Sequence, residues 1–318
     1  MTMKTLTRNE TADFLLKSDN YAILTHRRPD GDTIGSSAAL CRILRKMGKI
    51  AYIIRNDEIS DRFAWLHEGL TKEEAGENDT IITVDVASPG MLPKAFETYL
   101  GRIALRIDHH ASATSFTEKE LVDSTAGACA EIIFDLMEYL WVTMDEAIAD
   151  AVYVGTSTDT GCFRFANTTS HTFLTAAACA AGGARVYDIN QELFETNTLG
   201  RLKIQGWIVE NLKSLPGGMA IVAIPKAVEE AIGVTEDDMD NISSFPRTIS
   251  GVAMAATLRE TKDGDVKLSV RAVPGRDATA LTGLFGGGGH KGAAGATLKM
   301  SLTDAAAAVE QAMLNLKK

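Results

Sequence analysis

Along the first hundred residues, short apolar runs alternate with segments of helical period. Residues 21–24, 50–54, 80–84 and 102–107 are short, apolar and bounded by polar or Gly-containing stretches, and they predict buried strands. Between them, 36–47, 61–67 and 91–100 carry apolar positions at helical spacing. Strands alternating with helices predict an α/β fold: a mostly parallel sheet with helices on both faces. From 125 to about 183 the pattern turns almost wholly helical, with helices expected over 126–140, 144–154 and 170–181.

A further helix over 197–215 runs into Pro216-Gly217-Gly218, which reads as a boundary. Beyond it the texture changes. Residues 219–224, 250–259 and 266–273 predict strands, and 303–316 a closing helix with Ser301 or Thr303 near its cap. The expected organisation is a first α/β domain over 1–195, a helical linker over 196–217 and a smaller α+β domain over 218–318.

Composition narrows the class. The chain has 318 residues, 45% hydrophobic and 23% charged, as expected of a globular protein of two domains. No apolar run approaches the roughly 20 residues needed to cross a bilayer, and Met1–Glu10 lacks the apolar core of a secretory signal. Cys41, Cys129, Cys162 and Cys179 have neither zinc-site spacing nor disulfide density, so they read as buried small residues in a reducing, cytoplasmic setting. The 32 basic residues are outnumbered by 42 acidic ones, a net charge of −10. Long nucleic acid is gripped through many Lys/Arg–phosphate contacts. The balance suits a short RNA or mononucleotide substrate better than a long polymer such as duplex nucleic acid, and no membrane partner is expected.

The candidate chemistry lies just past the predicted strands. His26-Arg27-Arg28-Pro29-Asp30-Gly31-Asp32 follows the first, Asp85 the third, and Asp108-His109-His110 the fourth. A fourth acidic position, Asp159, sits in Gly155-Thr156-Ser157-Thr158-Asp159-Thr160-Gly161. An open parallel sheet binds its ligands outside the carboxyl ends of its strands. His and Asp without thiolate favour divalent cations such as Mn²⁺, with Mg²⁺ or Co²⁺ as alternatives. Two such cations can activate water for in-line displacement at phosphorus, so the residues read as a two-metal phosphoesterase. Asp30 and Asp32 are expected on the loop before a helix opening near Gly35-Ser36, with Gly31 permitting a tight backbone path. His67 and His171 lack acidic partners in sequence and read as surface or packing residues; Trp65, Trp141 and Trp207 read as core or interdomain packing.

The order of these motifs resembles the DHH phosphoesterase superfamily over nearly the whole chain. Phe285-Gly286-Gly287-Gly288-Gly289-His290, continuing to Gly295, is similar to the signature of the associated DHHA1 domain. The resemblance implies one metal on His26, Asp30 and Asp85, and a second on Asp32, Asp85, His109 and Asp159. It implies that His110 contacts the scissile phosphate as a catalytic residue and that Asp108 orients the histidines. It also implies substrate binding by Arg271, His290 and the amides of Gly287, Gly288 and Gly289. The family commonly continues with Ser after this Arg, where this chain has Ala272.

Within the superfamily, length and the glycine-rich ending are similar to the stand-alone oligoribonuclease/pAp-phosphatase group. That implies hydrolysis of short oligoribonucleotides, linear dinucleotides and 3′-phosphoadenosine 5′-phosphate (pAp), with a homodimer allowed for. The alternatives are a cyclic di-AMP phosphodiesterase and a pyrophosphatase or exopolyphosphatase.

Overall fold

The computed structural model describes residues 4–111, 114–239, 241–261 and 263–316. Contacts divide the chain into two units, Met1–Thr196 and Asn197–Lys318.

Among the described residues the first unit holds seven strands: β1 (Lys4–Thr5), β2 (Tyr21–Leu24), β3 (Ala51–Ile54), β4 (Thr71–Lys72), β5 (Thr80–Val84), β6 (Ile103–Asp108) and β7 (Lys119–Val122). They lie in the order β1-β7-β6-β5-β2-β3-β4, and every recorded pairing is parallel. Its helices are α1 (Arg8–Lys17), α2 (Gly31–Lys46), α3 (Asp61–Ala64), α4 (Cys129–Leu140), α5 (Glu146–Asp159), α6 (Ser170–Ala181) and α7 (Val186–Asn190).

The strands read as continuous apolar runs because both faces are buried. Tyr21, Ile23, Ile82, Val84, Leu105 and Ile107 share a core with residues of α1, α2, α4 and α5. Ala22, Leu24, Ile81 and Ile103 face a smaller core closed by Leu92 and Phe96. The segment expected as a helix over 91–100 is instead two 3₁₀ stretches, Pro89–Met91 and Lys94–Arg102. Pro89 and Pro93 each lack an amide hydrogen, and Pro93 sits at the N-cap of the second stretch.

Three further differences bear on the site. Helix α2 begins at Gly31, five residues before the expected start, because the Asp30 side chain caps the amides of Asp32 and Thr33. Gly31 and Gly35 therefore lie within a helix, and space rather than turn geometry requires them. A Cβ on Gly31 would come within 2.4 Å of Thr158 Oγ1, and one on Gly35 within 2.4 Å of the Ala151 carbonyl oxygen and 2.8 Å of Gly155 N. These glycines let α2 and α5 cross in near backbone contact. Helix α5 runs on to Asp159 rather than ending at Val154. Elsewhere, Trp141 is no packing residue: it is 91% exposed, in the left-handed conformation that ends α4.

The second unit carries β8 (Lys213–Leu215), β9 (Met219–Ile224), β10 (Met254–Glu260), β11 (Val266–Ala272), β12 (Gly288–His290) and β13 (Ala293–Leu298), ordered β12-β13-β11-β10-β9-β8. Only β9 and β10 pair in parallel; the other recorded pairs are antiparallel. Its helices are α8 (Leu199–Asn211), α9 (Lys226–Ile232), α10 (Ala278–Thr282) and α11 (Leu302–Asn315), the last capped by Ser301. Ile204 and Ile208 of α8 are buried with Val222 and Ile224 of β9, so this helix joins the second unit's own core. Among the described residues, no helix is long and apolar enough to cross a membrane.

Candidate metal centre

In the first sheet β2 lies between β5 and β3, where chain order reverses, and ligands gather at such a switch point. His26 lies two residues past β2, Asp85 directly follows β5, and Asp108 ends β6 with His109 and His110 next. Asp30 caps α2 and Asp32 lies in its first turn, while Asp159 ends α5. Asp85 adopts φ 57°, a left-handed turn, and donation from Thr33 Oγ1 to its Oδ2 at 2.6 Å steadies it.

The residues converge in three overlapping groups: His26, Asp30 and Asp85; Asp32, His109 and Asp159; and Asp85, His109 and His110. In each, one ligand atom per residue lies within 4.8 Å of the others. His26 Nδ1 donates to the Arg27 carbonyl oxygen at 2.9 Å, and His109 Nδ1 to that of Ala126 at 3.3 Å. A carbonyl only accepts, so both rings turn Nε2 inward as the ligand atom. His26 Nε2 stands 3.8 Å from both Asp30 Oδ1 and Asp85 Oδ2. His109 Nε2 stands 3.8, 3.5 and 3.6 Å from Asp32 Oδ2, Asp85 Oδ1 and Asp159 Oδ2. Those gaps are too long for hydrogen bonds and suit atoms that share a cation. The buried Asp85 Oδ1 has no hydrogen-bond partner, as expected of an atom reserved for a metal. The donor set of imidazole and carboxylate therefore fits divalent cations.

The electrostatics agree. Burial, with the charges of Asp32 and Asp30, pushes the Asp85 carboxyl well above the usual carboxylate range. Burial and the Asp32 charge bring Asp159 up to about 7, and burial also raises Asp32. Carboxylates crowded in low dielectric hold their charge only when a cation offsets it.

His110 is set apart from His26 and His109. Its Nδ1 bonds Asp108 Oδ1 at 2.8 Å, which leaves Nε2 free for a substrate. That bond raises the imidazole above its ordinary pKa. Asp108 is fully buried and also accepts from the amides of His109 (2.8 Å) and His110 (3.3 Å). It thus orients the His110 ring and the local backbone, whereas the His109 ring is set by Ala126.

Several groups that hold the site have no counterpart among the residues singled out from sequence. Asp32 accepts from Cys129 N (2.6 Å), Ala130 N (2.9 Å) and Ser36 Oγ (2.9 Å). Asn167 Nδ2 lies 3.2 Å from the Asp159 carbonyl oxygen. Thr33 and Ser36 lie just beyond the Asp-Gly-Asp motif, where a signal existed; backbone amides leave none. His67 is buried, with Nε2 within reach of Ser37 Oγ (2.8 Å) and the Ile34 carbonyl oxygen (3.2 Å).

In the second unit, Arg271 and His290 lie on one sheet face. Arg271 pairs with Ala293, which pairs with His290, so the three project to the same side. Arg271 Nε bonds Ser244 Oγ at 3.2 Å; burial and the nearby charge of Arg247 depress the guanidinium's pKa. Ala272 alternates onto the opposite, core-facing side, so the departure from Ser falls away from the Arg271 face. A Cβ on Gly287 would meet the Gly295 carbonyl oxygen at 2.2 Å, and Gly289 has φ 139°, so both glycines serve the fold. Gly288 is exposed and has open space where a Cβ would stand.

Residues 20–156 match the DHH family, N-terminal domain, and residues 222–315 match the DHHA1 domain. A Thermus thermophilus protein named bifunctional oligoribonuclease and PAP phosphatase NrnA is 32% identical over 279 residues, 87% of this chain and 83% of its own. A Bacillus subtilis protein of the same name is 28% identical over 287 residues, 88% of this chain and 90% of its own. The crystal structure of an exopolyphosphatase-related protein from Bacteroides fragilis shares the fold. Its TM-score is 0.88 at 23% identity, covering 96% of this chain and 95% of that one. The chain belongs to the DHH family, a family of metal-dependent hydrolases, and carries a DHHA1 domain after its DHH domain.

Proposed function

We propose that the protein is a phosphoesterase that hydrolyses short oligoribonucleotides, linear dinucleotides included, and removes the 3′-phosphate of pAp, using two divalent cations of which Mn²⁺ is the first choice. The observation that carries this reading is the convergence of His26, Asp30, Asp32, His109 and Asp159 around the buried Asp85, whose Oδ1 has no hydrogen-bond partner. The names of the Thermus and Bacillus relatives favour the same substrates.

His26, Asp30 and Asp85 would hold one cation, and Asp32, Asp85, His109 and Asp159 the other. Bound there, the pair supplies charge neutralisation at phosphorus and lowers the pKa of water. The chain's own work is positional and protonic. The backbone-anchored rings of His26 and His109 keep their Nε2 atoms aimed inward, and Asp85 lies between them. His110, oriented by Asp108, stabilises the developing charge on phosphoryl oxygen and delivers a proton from Nε2 to the leaving oxygen. In the second unit Arg271, His290 and the open backbone at Gly288 bind a further anionic group of the substrate. The net charge of −10 works against binding a long polymer and leaves recognition to these few contacts.

The test is Mn²⁺-dependent hydrolysis of pAp, linear diadenylate, cyclic di-AMP and pyrophosphate, side by side. Turnover of the first two is expected to exceed that of the others. Preference for pyrophosphate or cyclic di-AMP would overturn the substrate assignment, and turnover that survives chelation would overturn the metal assignment.

A further inference from the structure

The segment from Ala126 to Ala130 meets two of the six proposed ligands directly and a third through Asn167, and the three form one group. The Ala126 carbonyl oxygen accepts from His109 Nδ1 at 3.3 Å, while Cys129 N and Ala130 N donate to Asp32 at 2.6 and 2.9 Å. The Gly127 carbonyl oxygen accepts from Asn167 Nδ2 at 2.8 Å. The same amide group lies 3.2 Å from the Asp159 carbonyl oxygen and 3.4 Å from Asp159 Oδ2. His109, Asp32 and Asp159 make up one of the three close clusters. His26 and Asp30 are held by other groups: the Arg27 carbonyl oxygen, and the amides and hydroxyl at the start of α2.

Glu131 ties this segment down. The residue is fully buried in α4. Its Oε2 accepts from Gly127 N at 3.3 Å and its Oε1 from Thr172 Oγ1, in α6, at 2.7 Å. The fit leaves no slack, because a Cβ on Gly127 would stand 2.7 Å from Glu131 Oε1 and 2.9 Å from the Asn167 carbonyl oxygen. Burying a carboxyl is costly unless its bonds are made, and these bonds brace the turn that meets the ligands.

We propose that Glu131 is a positioning residue for one half of the metal centre. It fixes the turn 126–130, which together with Asn167 sets Asp32, His109 and Asp159, and it leaves His26 and Asp30 unaffected. The inference rests on the metal reading above, and the test separates the two.

Mn²⁺ binding to the full chain is measured without substrate by calorimetry and electron paramagnetic resonance, alongside melting of the metal-free protein. The wild type is expected to show two classes of site. Glu131→Leu offers no acceptor to Gly127 N or Thr172 Oγ1, and it should weaken one class by about 10-fold or more while the other stays within about twofold. Turnover should recover as Mn²⁺ is raised, with KM for linear diadenylate unchanged. Thr172→Val, which removes the hydroxyl bond to Glu131 Oε1, carries the same expectation should Glu131→Leu not fold. Both classes weakening in step with the melting temperature, or neither changing, would overturn the proposal. A wild type that binds no Mn²⁺ would instead overturn the metal reading on which it rests.

Discussion

Asp85 carries three constraints on a single residue. Its backbone is left-handed, its Oδ2 accepts from Thr33, and its Oδ1 is buried without a partner. Asn tolerates that backbone and still accepts from Thr33, so Asp85→Asn removes charge with little change of shape. Without metal, the buried carboxyl beside Asp32 and Asp30 is an electrostatic liability. The metal-free variant is therefore expected to melt at or above the wild-type temperature, while the stabilisation that Mn²⁺ gives the wild type should disappear. Melting with chelator and with saturating Mn²⁺ checks both signs. His67 supplies a second residue-scale expectation. Burial lowers its pKa from 6.5 to about 4, so the unfolded chain takes up a proton that the folded one refuses. Its contribution is complete above about pH 6.5 and is lost as pH falls toward 4, with a slope of up to about 1.4 kcal/mol per pH unit. Denaturant unfolding at pH 7 and pH 5 should show a smaller difference in His67→Gln than in the wild type.

Among the elements, the pair α2 and α5 decides whether Asp32 and Asp159 can share a site. The helices meet at Gly35 and Gly155, where a Cβ would lie within 3 Å of the opposing helix or its neighbours. Gly35→Ala should cost about 1–3 kcal/mol by overpacking and should weaken Mn²⁺ binding with it. Gly206 in α8 has open space around it, so Gly206→Ala should stabilise by up to about 1 kcal/mol; chemical denaturation of both variants tests the contrast. The same elements show how far the chain could be read without coordinates. β2, β3, β5 and β6 were legible because strands buried on both faces are unbroken apolar runs. The 3₁₀ stretch Lys94–Arg102 keeps helical spacing but is preceded by Pro93, and periodicity does not register the missing amide hydrogen. Strand β7 and the edge strand β12 are too short and polar to stand out. At the site, the His and Asp side chains declared themselves by type and position. The amides of Cys129 and Ala130 and the carbonyl oxygen of Ala126 could not, because any residue there offers the same groups.

Across the whole chain, two units have separate cores, and the proposal assigns chemistry to the first and recognition to the second. That division predicts separable kinetic effects. Gly288→Ala meets no neighbour and should leave stability unchanged, whereas a side chain at that exposed backbone should raise KM for pAp several-fold with a smaller effect on kcat. Arg271→Lys keeps a charge but loses the planar fork, and should act in the same direction. Steady-state kinetics on pAp and linear diadenylate, with melting curves as control, test both. The proposed role of Asp85 is to anchor a divalent-metal centre for phosphoester hydrolysis. Its most direct test is the rate of mononucleotide release from linear diadenylate, measured against Mn²⁺ concentration for the wild type and Asp85→Asn. The rate is expected to rise with Mn²⁺ in the wild type and to be lower by at least about 10²-fold in the variant at every concentration. Equal rates in the two proteins, or cleavage that continues in the wild type after chelation, would contradict it.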